Sequence, residues 1–95
     1  MPLSEAQIKE KLLGYPGWEL VGGQIQKTYG LKDFKTAMEF ANQVAMMAEN
    51  ADHHPDINIS YNKVTFILST HSENGVTEKD FNLAKDIESS AINFI

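Results

Sequence analysis

The sequence predicts an α+β domain: one four-stranded antiparallel sheet with three helices packed on one face, in the order α-β-β-α-β-β-α. Three observations predict it. Apolar residues recur at helical spacing in three separate stretches, and apolar and polar residues alternate in four shorter ones. The alternating stretches also come in pairs joined by turn-forming residues. With 95 residues the chain has the length of a single domain with one modest core, and residues 1–95 are read as one unit.

The first helix begins after Ser4, a good N-cap, and Gln7 completes a capping box. Leu3 and Ile8 can clamp its start as a hydrophobic staple, Ile8 and Leu12 share a face, and Gly14-Tyr15-Pro16-Gly17 must end it. Two short strands flank Gly22-Gly23. Trp18 and Leu20 alternate with Glu19, Ile25 and Tyr29 alternate with Gln26 and Thr28, and the glycine pair suits a tight hairpin.

The longest helix is expected from about Asp33 to Asp52, where Phe34, Ala37, Met38, Ala41, Val44, Ala45 and Ala48 keep one face. Pro55 disfavours helical geometry at His54, so this helix should finish near Ala51 or His53. His53 and His54 then sit at its C-terminal end, where the dipole favours a positive imidazolium.

In the second hairpin Ile57, Ile59 and Tyr61 alternate, Asn62-Lys63 supplies the turn, and a strand runs from Val64 to His71. Val64, Phe66 and Leu68 share one of its faces, and Thr65, Ile67, Ser69 and His71 the other. After Ser72-Glu73-Asn74-Gly75 a third helix starts, with Thr77 as N-cap, Asp80 completing a capping box and Val76 and Phe81 as a staple. Phe81, Ala84, Ile87, Ala91 and Phe94 form its core stripe.

Composition excludes several functions. The chain has no cysteine, hence no disulfide and no thiolate ligand or nucleophile. That fits a reducing compartment, and Met-Pro-Leu-Ser-Glu lacks the pattern of a secretory signal, so a cytoplasmic location is expected. No apolar run approaches the roughly 18 residues of a membrane span, so no membrane is expected as partner. A net charge of −5 lacks the basic surface that phosphate backbones attract, so direct nucleic-acid binding is not expected either.

All three histidines fall at element ends, His53 and His54 at a helix terminus and His71 at a strand end, where side chains can converge on one cleft. Glu49 lies four residues before His53 and would share its face, orienting the ring and favouring its charged form. Adjacent imidazoles resist both being charged, and one charged with one neutral ring supplies an acid and a base together. Each feature has a plainer reading: a helix-end histidine can be a dipole partner, Asp80 a capping carboxylate, Trp18 a core residue and Lys79 a solvated charge. Three histidines can also hold zinc, but neighbouring residues point apart and nothing matches the H-E-x-x-H spacing, so no metal is expected.

Four ordered blocks carry a resemblance. Glu49-x3-His53-His54-Pro55, Tyr61-Asn62-Lys63-Val64, Leu68-Ser69-Thr70-His71 and Gly75-Val76-Thr77-x2-Asp80 resemble the pterin-4a-carbinolamine dehydratases, also known as the dimerisation cofactor of a homeodomain transcription factor. The likeness extends over nearly the whole chain, including Gly17-Trp18 and Lys32-Asp33-Phe34.

It implies a hydro-lyase that removes water from a 4a-hydroxytetrahydrobiopterin to give the quinonoid dihydropterin, with no cofactor. It implies His53, tuned by Glu49, as the main acid–base group, with His71 as its opposite partner and His54 orienting the pterin. Asp80 would bind the pterin or hold a histidine, while Trp18 and Lys79 would support the pocket. The family forms dimers or tetramers, so a homodimer or homotetramer is implied. Ile57 stands where relatives commonly carry an aromatic residue and Lys79 where many carry arginine, which bears on ligand preference more than on reaction type. The competing readings are a non-catalytic protein-binding or transcriptional cofactor module of the same fold, and a hydrolase or metal-binding protein using the same histidines. Met46-Met47 hints at the apolar helix surface that the first of these needs.

Overall fold

A computed structural model describes residues 1–95. Its elements are α1 (Glu5–Leu12), β1 (Glu19–Val21), β2 (Gln24–Gly30), α2 (Phe34–Ala51), β3 (Asp56–Ser60), β4 (Lys63–Leu68) and α3 (Glu78–Ala91), the α+β order expected. The four strands form one antiparallel sheet in the order β1-β2-β4-β3, which leaves β1 and β3 as edges. No helix is long and apolar enough to cross a membrane.

Register decides which side chains face the helices. Ile25 stands opposite Leu68, Tyr29 opposite Val64 and Ile57 opposite Phe66, and directly opposed residues share a face. Ile25, Tyr29, Val64, Phe66 and Leu68 are accordingly buried against α2 and α3. Tyr29, Phe40 and Phe66 meet edge to face, with ring centroids 5.1–5.9 Å apart, and join strand to helix at the centre of the core.

The helix starts behave as their sequences dictate. Both capping boxes form, Ser4 with Gln7 and Thr77 with Asp80, and the Asp33 side chain caps α2. The buried face of α2 is Thr36, Ala37, Phe40, Ala41, Val44 and Ala48. This corrects the expected stripe: Phe34 is 50% exposed, Ala45 is exposed, and Phe40 is fully buried. At about 100° per residue, Phe34, Met38 and Ala45 lie roughly 60–100° round from Ala37, at the rim of a stripe centred on Phe40 and Val44.

Two boundaries in the second hairpin also differ. The turn falls on Tyr61-Asn62, with Tyr61 at φ 53°, and Lys63 already pairs with Ser60 and Gly30. β4 ends at Leu68 rather than His71, because Thr70 N–H donates to Gly75 O at 2.8 Å and the chain reverses through Asn74 at φ 57°. His71 therefore opens a single 3-10 turn, His71–Glu73.

The last turn of α2 fixes the direction in which the histidine pair leaves the helix. Asp52 adopts the left-handed conformation (φ 50°, ψ 42°), its N–H donates to Glu49 O at 3.2 Å, and His53 N–H donates to Ala48 O at 3.0 Å. This is the six-to-one closure that usually employs glycine, since a Cβ in that conformation costs about 1–2 kcal/mol. Relieving it by Asp52→Gly should raise the melting temperature without altering the sheet, whereas Asp52→Val should lower it. Thermal melts of the two variants moving together, or in the reverse order, would be incompatible with a strained left-handed turn.

Lys27 lies on the inward face of β2, opposite Phe66, a costly place for a charge. Glu88 of α3 compensates. Its Oε1 accepts from Lys27 Nζ, from Tyr29 O–H at 2.7 Å and from Trp18 Nε1–H at 3.0 Å. Burial pushes the Glu88 carboxyl up, but these donors and the Lys27 charge pull it further down, to below the ordinary glutamate range. Burial and the same carboxylate push the Tyr29 hydroxyl up, so it stays a donor.

A carboxyl depressed in the folded state contributes stability that is present above its unfolded pKa and lost as pH falls through the folded value. Glu88→Gln should lower stability at pH 7 by about 1–2 kcal/mol, the smaller end of the range because the side chain is partly solvated. It should also flatten the loss of stability as pH falls below the ordinary glutamate pKa, about 4.3. Urea titrations at neutral and acid pH test both, and an unchanged acid limb would count against the hub.

Candidate active site at the end of α2

The left-handed turn at Asp52 sends His53 and His54 to different partners. His53 turns to α3, where its Nε2 lies 2.6 Å from Asp80 Oδ1. His54 stays at the surface, its Nε2 2.8 Å from Glu49 Oε2. The expected pairing of Glu49 with His53 is thus corrected. The helix stops at Ala51, two residues short of His53, so the four-residue spacing no longer puts them on one face. The Glu49–His54 pair is exposed, and such pairs contribute little to stability.

Asp80 is fully buried. Its Oδ1 faces His53, and its Oδ2 accepts from Thr77 N–H at 2.9 Å and from Thr70 O–H at 2.9 Å. Two donors meet Oδ2, and an ionised carboxylate only accepts. Toward such an acceptor His53 Nε2 carries the hydrogen, which leaves Nδ1 without one. The His53 side chain is 12% exposed and, with Ala51, Lys79, Asn82, Leu83 and Asp86, lines a cleft of about 190 Å³.

His71 lines a separate cleft of about 290 Å³ with Gln24, Ser69, Asn74, Gly22, Gly23 and Gly75. Thr70 connects the two histidines through bonds: it precedes His71 in sequence, and its hydroxyl donates to Asp80, the partner of His53. The loop carrying His71 is fastened from outside as well. Leu3 N–H donates to Val76 O at 2.8 Å, and the Met1 amino group meets Glu73 Oε1 at 2.9 Å. A Cβ on Gly75 would come within 2.9 Å of Pro2 Cβ, so this close approach requires glycine.

Among the candidates read from sequence, His53, Asp80 and Lys79 gather at one place, His54 next to His53 pairs with Glu49 at the surface, and His71 lines a separate cleft. Trp18 is elsewhere. It is buried with its indole on Glu88, two turns further along α3, about 12 Å by helical rise. Thr70, Thr77, Asn82 and Asp86 escaped the sequence reading as site residues. For Thr70 a signal existed: it continues the inward series Val64, Phe66, Leu68, and a polar residue in that series needs a buried partner. No group of three or more His, Asp or Glu side chains is arranged to hold a metal ion.

A family model described as pterin 4 alpha carbinolamine dehydratase matches residues 1–90. A protein of Herpetosiphon aurantiacus, provisionally named a pterin-4-alpha-carbinolamine dehydratase, is 54% identical over 90% of each chain. One of Thermosynechococcus vestitus with the same provisional name is 44% identical over 95% of each. A crystal structure from Brucella melitensis, described as a transcriptional coactivator/pterin dehydratase, superposes with a TM-score of 0.91 at 41% identity, covering 96% of this chain and 99% of that one. The four sequence blocks, the fold and these relatives agree: the chain belongs to the pterin-4a-carbinolamine dehydratase family.

Proposed function

We propose that the protein is a hydro-lyase acting on a 4a-hydroxytetrahydropterin, with His53 and His71 moving protons. The observation that carries this reading is the buried Asp80 carboxylate held against Nε2 of His53, a histidine that also lines a cleft. The reaction breaks the bond from the ring carbon to its hydroxyl and removes the proton of the neighbouring ring nitrogen. The electron pair of that N–H bond closes the carbon–nitrogen double bond, the hydroxide leaves as water with one proton from the acid, and the nitrogen's proton stays on the base until exchange with solvent returns both groups to their starting forms.

His53 takes the nitrogen's proton at Nδ1, and the imidazolium that forms is stabilised by Asp80 at Nε2, the division of labour of a histidine–aspartate pair. His71 delivers a proton to the departing hydroxyl. His54, held by Glu49 at the surface, and Lys79 at the cleft wall orient the polar edge of the pterin. No step calls for a metal, a redox cofactor or a covalent intermediate.

A second reading, a non-catalytic protein-binding module, has its own support. Met46 is 65% exposed and Phe34 half exposed on α2, and the Brucella neighbour is described as a coactivator as well as a dehydratase. The same surface and the open edge of β3 suit assembly into a homodimer or homotetramer. The two functional readings separate on which substitutions matter: histidine changes for the enzyme, α2 surface changes for the binding module.

A stopped-flow dehydration assay with a synthetic carbinolamine tests the enzyme. His53→Ala and His71→Ala should each slow the reaction by about 10²–10⁴-fold. The double variant should be little slower than the worse single one, as expected for groups that serve one transition state. A chelator should leave the rate unchanged. Unaffected rates in both single variants would overturn the assignment, and independent, multiplicative losses would show that the two rings act without coupling.

A further inference from the structure

Thr70 is 3% exposed, and the chemistry of the groups around its hydroxyl fixes where each hydrogen points. Asp80 Oδ2, 2.9 Å away, only accepts, so the single Thr70 proton must go there. Thr77 Oγ1, 2.7 Å from Thr70 Oγ1, must then donate to it, and Thr77 Oγ1 itself accepts Lys79 N–H at 3.2 Å. The result is a directed chain: Lys79 N–H to Thr77, Thr77 to Thr70, Thr70 to Asp80, and His53 Nε2–H to Asp80 Oδ1 from the other side.

The chain constrains both histidines. With Oδ2 held by both Thr70 O–H and Thr77 N–H, the carboxylate cannot rotate, so Oδ1 stays aimed at His53. Thr70 also precedes His71, and its backbone closes the loop with Gly75 in both directions, N–H to O at 2.8 Å and O from N–H at 3.4 Å. One residue thus joins the carboxylate that orients the first histidine to the loop that bears the second.

We propose that Thr70 is a positioning residue for the dehydration: acting through Asp80, its hydroxyl sets the hydrogen on His53 Nε2 and the placement of His53 relative to His71. The inference rests on the dehydratase reading above for its consequence in rate, and on hydrogen-bond geometry alone for its consequence in tautomer. Thr70→Val removes the hydroxyl at nearly constant shape, Thr70→Ala removes it without crowding, and Thr70→Ser keeps it.

The test measures kcat, KM and thermal melting for each full-length variant, together with the imidazole nitrogen spectrum of ¹⁵N-labelled protein, which distinguishes a hydrogen on Nε2 from one on Nδ1. Thr70→Val and Thr70→Ala should lower kcat by about 10–100-fold, as misplacement of a reacting group does, and leave KM within about twofold. The His53 signal should change from Nε2–H to a mixture of the two forms. Thr70→Ser should restore both rate and spectrum. Should the valine variant fail to fold, the alanine variant carries the same expectation. A lowered melting temperature with the His53 spectrum and kcat unchanged would reduce Thr70 to a packing residue and overturn the proposal. If no variant, nor the unaltered protein, dehydrates a carbinolamine, the dehydratase reading falls, while a changed spectrum still upholds the assignment of Thr70.

Discussion

A carboxylate with no access to solvent sits at the junction of three elements, and the rest of the site depends on it. Asp80 begins α3, Thr70 lies just beyond the end of β4, and His53 just beyond the end of α2, and the two oxygens of Asp80 tie these segments together. Burying an unpaired carboxylate would cost several kcal/mol, so Asp80 is tolerable in this position only with its donors in place. The fold therefore enforces the site. If α2 ended a turn later, or if β4 continued straight through Thr70, the carboxylate would lose a partner and the structure would lose stability.

α3 carries a second carboxylate two turns on, and the two behave differently. Glu88 accepts from Lys27, Tyr29 and Trp18, all at one oxygen and all on the sheet side of the core. The single hydrogens of Trp18 Nε1 and Tyr29 O–H are both spent on Glu88, and Lys27 Nζ also donates to Pro16 O at 2.9 Å. At Asp80, by comparison, one partner is an imidazole, which has a second ring nitrogen, on a residue that lines a cleft. A carboxylate that satisfies ordinary donors makes a structural hub, while one that satisfies a histidine leaves that histidine oriented and still reactive. The same helix provides both, and the proposed proton transfer uses the second.

Much of this is legible in the sequence, for reasons that are local. Capping boxes at Ser4 and Thr77 involve residues three apart, and the alternation in Val64, Phe66 and Leu68 repeats within one strand, so both can be read directly. The family resemblance points to the three histidines and Asp80. Relations between distant residues stay hidden. His53 and Asp80 are 27 positions apart, and nothing in either neighbourhood says that one contacts the other. Glu49 reads as the partner of the wrong histidine because a single left-handed residue, Asp52, changes direction in a way that helical periodicity cannot anticipate. Trp18, paired in motif with Gly17, reads as a support for the ligand, but its indole N–H finds its acceptor on the far part of α3. Phe40 is easily passed over for Phe34 because a stripe of alanines fixes a helix face only to within a residue or so.

The proposed proton transfer requires Asp80 to act as a pure acceptor toward His53. Asp80→Asn keeps the size of the side chain but replaces one oxygen with a donor, so the amide must either lose a bond or force the hydrogen of His53 onto the other nitrogen. The decisive quantity is the single-turnover rate of carbinolamine dehydration by this variant, measured alongside its thermal melt. A folded protein whose rate is lower by about 10²–10⁴-fold is expected. A folded Asp80→Asn protein that dehydrates its substrate at the original rate would show that the carboxylate plays no part in the chemistry.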